Sequence, residues 1–526
     1  MFANLNCLFK IKRQLIKRKQ YNGIFCSDFN FPIDFLRSHD IIVFVSATRG
    51  EFGMNNMKVR ITSVEINHFK NVGHGIISLV NQEEKYKASV LGLYGQNGSG
   101  KTALIDALNV LKCALCGMSV PGKYAEYISI EAPYSYFRFG FKIESTDGSS
   151  HFEAVYEFKM RREYASVAVV NGQEQIVPKA VIFEELLSYS YDTPDGKEKM
   201  GPVINTNTDA PFSPQTKYDV LIGKSKDRKR NKSISTDLLV AKKLAAATSR
   251  SFIFSKELLD TIRENCKHKI HRNVIESIVN YGNYELFVFD TTSTGLISLN
   301  TLPLSLKYEL EGNGIAGSFI IPLDGSGVIP EQAYKIVCKA IDNINIVLPQ
   351  LVPGLTVSMN ELGRQMLPDN SVGVRVQLMS HKNKKEIALA YESEGIKKIF
   401  SVLQLLINVY NDYSITVAID ELDSGVFEYL LGEILKIISE KGKGQLIFTS
   451  HNLRPLETID KSFVAFTTTN PSNRYIRLTN VKSNNNLRDF YYRDLIVDDQ
   501  SETLYEPTNN SEISLAFREA GDYHAS

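Results

Sequence analysis

The chain has 526 residues, enough for two to four units of ordinary domain size. Its 43% hydrophobic and 23% charged content excludes a disordered polymer and predicts a packed globular protein. The net charge of +1 excludes a global pull toward nucleic acid or a membrane surface, so any such partner would need a local patch.

The six cysteines, at 7, 26, 113, 116, 266 and 338, are too scattered for a disulfide scaffold and fit a reducing, cytoplasmic setting. Apolar runs stay well short of the ~18 residues that span a bilayer, so no membrane partner is expected.

Residues 1–56 differ in pattern from the rest of the chain. Lys10, Lys12, Arg13, Lys17, Arg18 and Lys19 make a basic opening, succeeded by short apolar pieces without a period. Three readings stay open: a basic targeting segment, an extension packed on the first domain, or a misassigned start. For the last, Arg49-Gly50-Glu51 can be encoded as AGA GGA GAA, a bacterial ribosome-binding sequence, just ahead of Met54 and Met57. From Met57 the pattern is orderly. Lys58 to Ile66 alternates as a half-buried strand does, and a second strand is expected over Gly75 to Val80.

Val90 to Tyr94 is a buried strand run, and Gly95-Gln96-Asn97-Gly98-Ser99-Gly100-Lys101-Thr102 fits G-x-x-x-x-G-K-[ST]. Ala103 to Leu111 then reads as helix. Glycines at 95, 98 and 100, with Asn97 between them, let the main chain bend around phosphate oxygens. Consecutive N–H groups at a helix N-terminus favour an anion, and Lys101 adds a point charge for the β- and γ-phosphates. Thr102 would ligate Mg²⁺. Strand, loop and helix in this order predict ATP binding. Cys113 and Cys116 lie in the apolar helix behind the loop and read as helix packing.

Ser135 to Ile143 and Phe152 to Met160 are strand-like, and residues 57–222 are expected to form the first half of a nucleotide-binding head. About 320 residues separate Lys101 from the acidic half of the site, too many for one compact nucleotide-binding unit, so 223–334 is read as an insertion: a basic loop and a mainly helical subdomain. The loop crowds Lys224, Lys226, Arg228, Lys229, Arg230 and Lys232 against Asp227 alone, which suits either a solvated loop or contact with a phosphate backbone. Cys266, His268 and His271 lack a fourth ligand and read as a surface helix.

In 335–526, Ser414 to Ile419 is a buried strand ending in Asp420-Glu421. A carboxylate at that end of a parallel strand sits where doubly wound sheets bind ligands. Asp420 would hold Mg²⁺ through its water shell, and Glu421 would orient and deprotonate the attacking water. Gln445 to Thr449 is a further buried strand, ending in Ser450-His451; His451 could bond the γ-phosphate.

These elements resemble a known group. Asp420-Glu421-Leu422-Asp423-Ser424 and Thr449-Ser450-His451 look like the Walker B, D-loop and switch-histidine elements of ABC-type ATPases. Tyr391-Glu392-Ser393-Glu394-Gly395-Ile396-Lys397-Lys398 looks like a degenerate ABC signature leading into a helix. Glu65 to Asn71 looks like the first strand of RecF/SMC-type heads, which would put Lys70 or Asn71 near the nucleotide. The chain thus resembles prokaryotic AAA/ABC-type ATPases related to RecF and OLD proteins, without the later acidic strands of a Toprim nuclease.

The resemblance implies an α/β P-loop NTPase, an ABC-type head with an antiparallel β lobe and an inserted, mainly helical subdomain. Two copies would sandwich two ATP molecules, with Ser393, Gly395 and Asp423 meeting the partner's nucleotide. It also implies a homodimer or higher oligomer controlling a partner effector, as in phage defence. The alternative is a RecF-like DNA-binding repair protein using 224–232.

Overall fold

The computed structural model describes residues 57–522 apart from 82–86, 171–172, 224–226, 311–312, 326, 368–369, 479–485 and 498–501. The expectations for residues 1–56, and for Lys224 and Lys226, lie outside the described residues.

An antiparallel lobe comes first. It contains β1 (Met57–Phe69), β2 (Val72–Ser78), β4 (Ser135–Ser145), β5 (His151–Val170), β6 (Gln173–Thr193) and β7 (Gly196–Asn205), in sheet order β2-β1-β4-β5-β6-β7. In β1 the buried positions run Val59, Ile61 and then Val64, Ile66. The one-residue slip is a bulge between Ile61 and Ser63, where the pairing with β4 shifts. Gly140 faces it; a Cβ there would meet Ser63 Oγ at 2.6 Å and Thr62 Oγ1 at 2.7 Å.

The chain then enters a second sheet through β3 (Ser89–Tyr94) and leaves it by α1 (Lys101–Leu115). After the lobe come α2 (Gln215–Ile222), α3 (Arg228–Ala247), α4 (Lys256–Asn265), α5 (Lys269–Tyr284), β8 (Leu286–Phe289) and α6 (Thr291–Ser298). A third region holds the hairpin β9 (Thr301–Leu310) and β10 (Asn313–Pro322), then β11 (Val328–Pro330), α7 (Glu331–Leu351), β12 (Thr356–Met366), β13 (Val372–Lys382) and β14 (Lys385–Ala388). The chain returns through α8 (Glu394–Asn411), β15 (Thr416–Ile419), α9 (Glu428–Lys441), β16 (Gln445–Thr449), α10 (Pro455–Thr458), β17 (Val464–Thr467) and β18 (Tyr475–Ile476). It ends in α11 (Leu487–Val497) and α12 (Asn510–Asp522).

The second sheet has the order β18-β17-β3-β16-β15-β8, parallel except for β18. Both its faces are covered, which is why its strands read as continuous apolar runs. Leu91, Leu93, Ala418, Ile447 and Ala465 pack with Leu104 and Leu108 of α1. Val90, Val417, Ile419, Leu446 and Phe448 pack with Leu405 of α8 and Leu435 of α9 on the other face. The path from β16 to β17 passes over β3, so loops diverge at the carboxyl end of β3, the place where such sheets form a crevice.

Within 223–334, α3 to α5 share the core of α1 and the lobe, and β8 pairs with β15 as the edge of the central sheet. A four-residue strand behind a helix carries too little period to be read locally. Cys266 and His271 are buried rather than on a surface helix, and His271 Nδ1 lies 2.7 Å from the Tyr189 hydroxyl. No helix among the described residues is long and apolar enough to cross a membrane.

Candidate nucleotide site

The phosphate loop is built where β3 stops. Gly95, Gly98 and Gly100 have φ of 149°, 77° and 94°, main-chain settings that side-chain-bearing residues rarely adopt. Gly95 has a second constraint, since a Cβ there would overlap Thr467 Oγ1 at 1.8 Å. The loop is gripped from several elements. Ser99 Oγ donates to Gln96 O at 2.6 Å and also meets Thr467 Oγ1. Tyr475 donates to Gly100 O at 3.0 Å, and Asn71 Nδ2 donates to Gly98 O. The N–H of Glu506 donates to Gln96 Oε1 at 2.9 Å, so the C-terminal segment also reaches the loop.

Lys101 is 7% exposed, and its Nζ donates to the carbonyls of Gly95 at 2.8 Å and Gln96 at 2.9 Å. Burial pushes its ammonium down to about 8, while the charges of Asp420, Glu421 and Asp423 work the other way. That electrostatic contact brings together two segments about 320 positions apart. Thr102, half-buried, comes after Lys101 in the first turn of α1. Asn97 and Gly98 are exposed at the loop's tip.

Asp420 is the first residue beyond β15 and is fully buried. Its Oδ1 accepts from Thr449 Oγ1 at 2.6 Å, and its Oδ2 has no partner. A buried carboxylate oxygen without a donor is costly unless a cation or its water completes it. The donor set is therefore suited to Mg²⁺: Asp420 through water, and the Thr102 hydroxyl. Glu421 comes next at φ 48°, in the left-handed region, and its N–H donates to Thr449 Oγ1 at 2.8 Å. A glutamate held there costs roughly 1–3 kcal/mol, which the surrounding structure must supply.

Asp423 joins two loops within the chain. Its Oδ2 accepts from the N–H groups of His451 and Asn452, each at 2.9 Å, tying the loop after β15 to the loop after β16. The His451 ring itself is exposed. Lys70 is paired with Asp106 of α1 and lies 4.2 Å from the Tyr127 ring centroid, so the β1–β2 turn is anchored on the phosphate-loop helix. Its ammonium is thereby engaged within the protein, whereas its neighbour Asn71 touches the loop.

Ser393 is the N-cap of α8, its Oγ accepting from the Ile396 N–H at 3.3 Å, and it is exposed. Gly395 is buried against the loop after β15: a Cβ there would meet Gly425 O at 1.9 Å. Within one chain, therefore, the signature-like turn adjoins the Asp420–Gly425 loop. Exposed aromatic side chains flank these two segments, Tyr391 at 83% and Phe427 at 69% exposure.

Sequence reasoning gave no role to Lys398, which is buried beside Asp420, nor to Thr449, Thr467, Tyr475 and the 502–506 segment. For Lys398 a signal existed: two adjacent lysines inside an otherwise apolar helix. For the others there was none, since each acts between segments remote in the chain.

No protein-family model matches the chain, and no curated protein does. Among solved structures it is similar to an Smc head domain with an extended coiled coil, bound to the C-terminal domain of ScpA, from Pyrococcus furiosus. Identity is 13%, coverage 80% of this chain and 96% of that one, and the TM-score 0.35. The SMC head domain from Thermotoga maritima gives 13% identity, 80% and 99% coverage, and a TM-score of 0.33. Likeness of that degree transfers neither a residue nor a role to this chain.

Proposed function

We propose that the chain is an ABC-type ATPase that binds and hydrolyses ATP, and that dimerises around the nucleotide to control a partner effector. The observation that carries the ATPase reading is the pairing of a phosphate loop with a buried, half-satisfied Asp420 at the carboxyl edge of one sheet. Lys101 and the loop N–H groups would hold the phosphates, and Asp420 and Thr102 would hold Mg²⁺. The metal, when bound, would offset charge on the phosphate oxygens. Glu421 would orient the attacking water and take its proton.

Dimerisation is supported by the exposure of Ser393 and of the aromatic side chains of Tyr391 and Phe427 around it, an apolar rim that solvent alone covers poorly. Ser393 and Gly395 would complete the nucleotide site of a second copy. Control of an effector, as in prokaryotic phage defence, rests on the family resemblance, and identifying the reading frames beside this one tests it directly. Phosphate release tests the chemistry: the wild type should turn over ATP, and Glu421→Gln should lower kcat by about 10² to 10³-fold. Equal rates would end the assignment of Glu421.

The RecF-like alternative has one observation in its favour. Arg228, Lys229 and Arg230 occupy the first turn of α3, where the helix dipole disfavours cations. Exposed cations there suit an external polyanion better than helix stability. Replacing Arg228, Lys229 and Lys232 by glutamine should abolish ATP-dependent DNA binding if this reading holds. No DNA binding by the wild type would dismiss it.

A further inference from the structure

We propose that Lys398 is a positioning residue for the hydrolytic centre, clamping the Asp420–Glu421 peptide to the helix that begins with Ser393 and Gly395. This rests on the ATPase reading and adds to it a residue outside the phosphate loop and the acidic pair.

The peptide unit between Asp420 and Glu421 is held at both ends. Its carbonyl accepts from Lys398 Nζ at 3.4 Å. Its N–H donates to Thr449 Oγ1 at 2.8 Å. The same threonine donates to Asp420 Oδ1. Orientation of this peptide decides where the Glu421 carboxylate goes, and Glu421 sits at φ 48°. A residue in that region keeps its conformation only where its surroundings over-determine it. Two bonds on one peptide plane, one from a charged donor out of water, provide that constraint.

The ammonium itself is placed with care. Lys398 is 1% exposed. Its Nζ also donates to Thr294 Oγ1 of α6 at 2.7 Å and lies 4.5 Å from the Phe289 ring centroid. Burial pushes the ammonium down to about 8, with the charges of Glu421, Asp420 and Asp423 opposing. A side chain buried there for packing alone would cost less as methionine, because burying an ammonium costs several kcal/mol of lost hydration. A charge kept beside Asp420 O serves the peptide it holds.

Lys398 also lies one helical turn beyond Gly395, the residue packed on Gly425 O. The start of α8 therefore touches the acidic loop twice, through Gly395 and Gly425 and through Lys398 and Asp420. A ligand engaged by the start of α8 can reach Glu421 through one stiff unit rather than across a flexible loop.

The test is Lys398→Met, close in length but uncharged, assayed beside the wild type, Glu421→Gln and Thr449→Val. Expected is a kcat reduced about 10- to 100-fold, with KM for ATP unchanged and no fall in melting temperature. Lys398→Arg, which keeps a charged donor, should recover part of the lost kcat. The Lys398→Met/Thr449→Val double variant should lose far less than the product of the single losses, because both residues hold one peptide. Should Lys398→Met not fold, Lys398→Gln enters the same cycle. A kcat equal to wild type, a parallel loss of kcat, KM and melting temperature, or strictly multiplicative losses would each overturn the proposal. If instead the wild type releases no phosphate from ATP, it is the ATPase reading that fails.

Discussion

Glu185 in the antiparallel lobe and Asp420 in the central sheet are both carboxylates removed from water, at 3% and 0% exposure. Glu185 is surrounded by donors: Tyr156 OH at 2.7 Å, the Phe252 N–H at 2.7 Å and Ser251 Oγ. Burial pushes its carboxyl up, with those donors opposing. Asp420 has one donor and one bare oxygen. The difference separates a carboxylate that stitches the fold together from one kept incomplete for a cation. Burial alone does not distinguish them; the count of donors does.

Substitution should separate the two sharply. Asp420→Asn is expected to lower ATP turnover by about 10² to 10³-fold while leaving thermal stability unchanged or slightly raised, since it removes a buried carboxylate oxygen that has no donor. Phosphate release and a melting curve on the same sample check both halves, and a large stability loss would break the contrast. Glu185→Ala should do the reverse. It strands the Tyr156 hydroxyl, the Ser251 hydroxyl and the Phe252 N–H, and should cost about 3 kcal/mol in a denaturant titration. Its KM and kcat for ATP should match the wild type.

The phosphate half of the site offers a smaller effect with a defined sign. Lys101 in the free protein is pushed down to about 8 by burial, with Asp420, Glu421 and Asp423 opposing. Phosphate charges placed around it would restore its proton. ATP binding should therefore take up protons near about pH 9 and weaken as pH rises through about 8, while little uptake occurs near about pH 7. Calorimetry in two buffers of different ionisation enthalpy reads this directly. Uptake that persists in Lys101→Met would assign it elsewhere.

The same contrast explains what the sequence discloses. β3, β15 and β16 are short apolar runs that end in chemically distinctive residues, so strand, site and order are all legible from local pattern. Gly95's need for glycine is legible as motif, but its cause, the Thr467 hydroxyl, is not. β8 escapes because Leu286 to Phe289 is too short to declare itself and gains its place only from pairing with β15. The Glu506 contact with Gln96 spans 410 positions, and no periodicity reports it. Local chemistry was readable; the groups that fix its geometry from a distance were not.

In the proposed dimer, Lys101 and Asp420–Glu421 form half of a pocket completed by a second copy. Light scattering of Glu421→Gln with and without Mg-ATP tests this. One chain is expected without nucleotide and two chains with it, and one chain in both conditions for Lys101→Ala/Glu421→Gln. A Glu421→Gln protein that binds Mg-ATP and remains a single chain would contradict the claim.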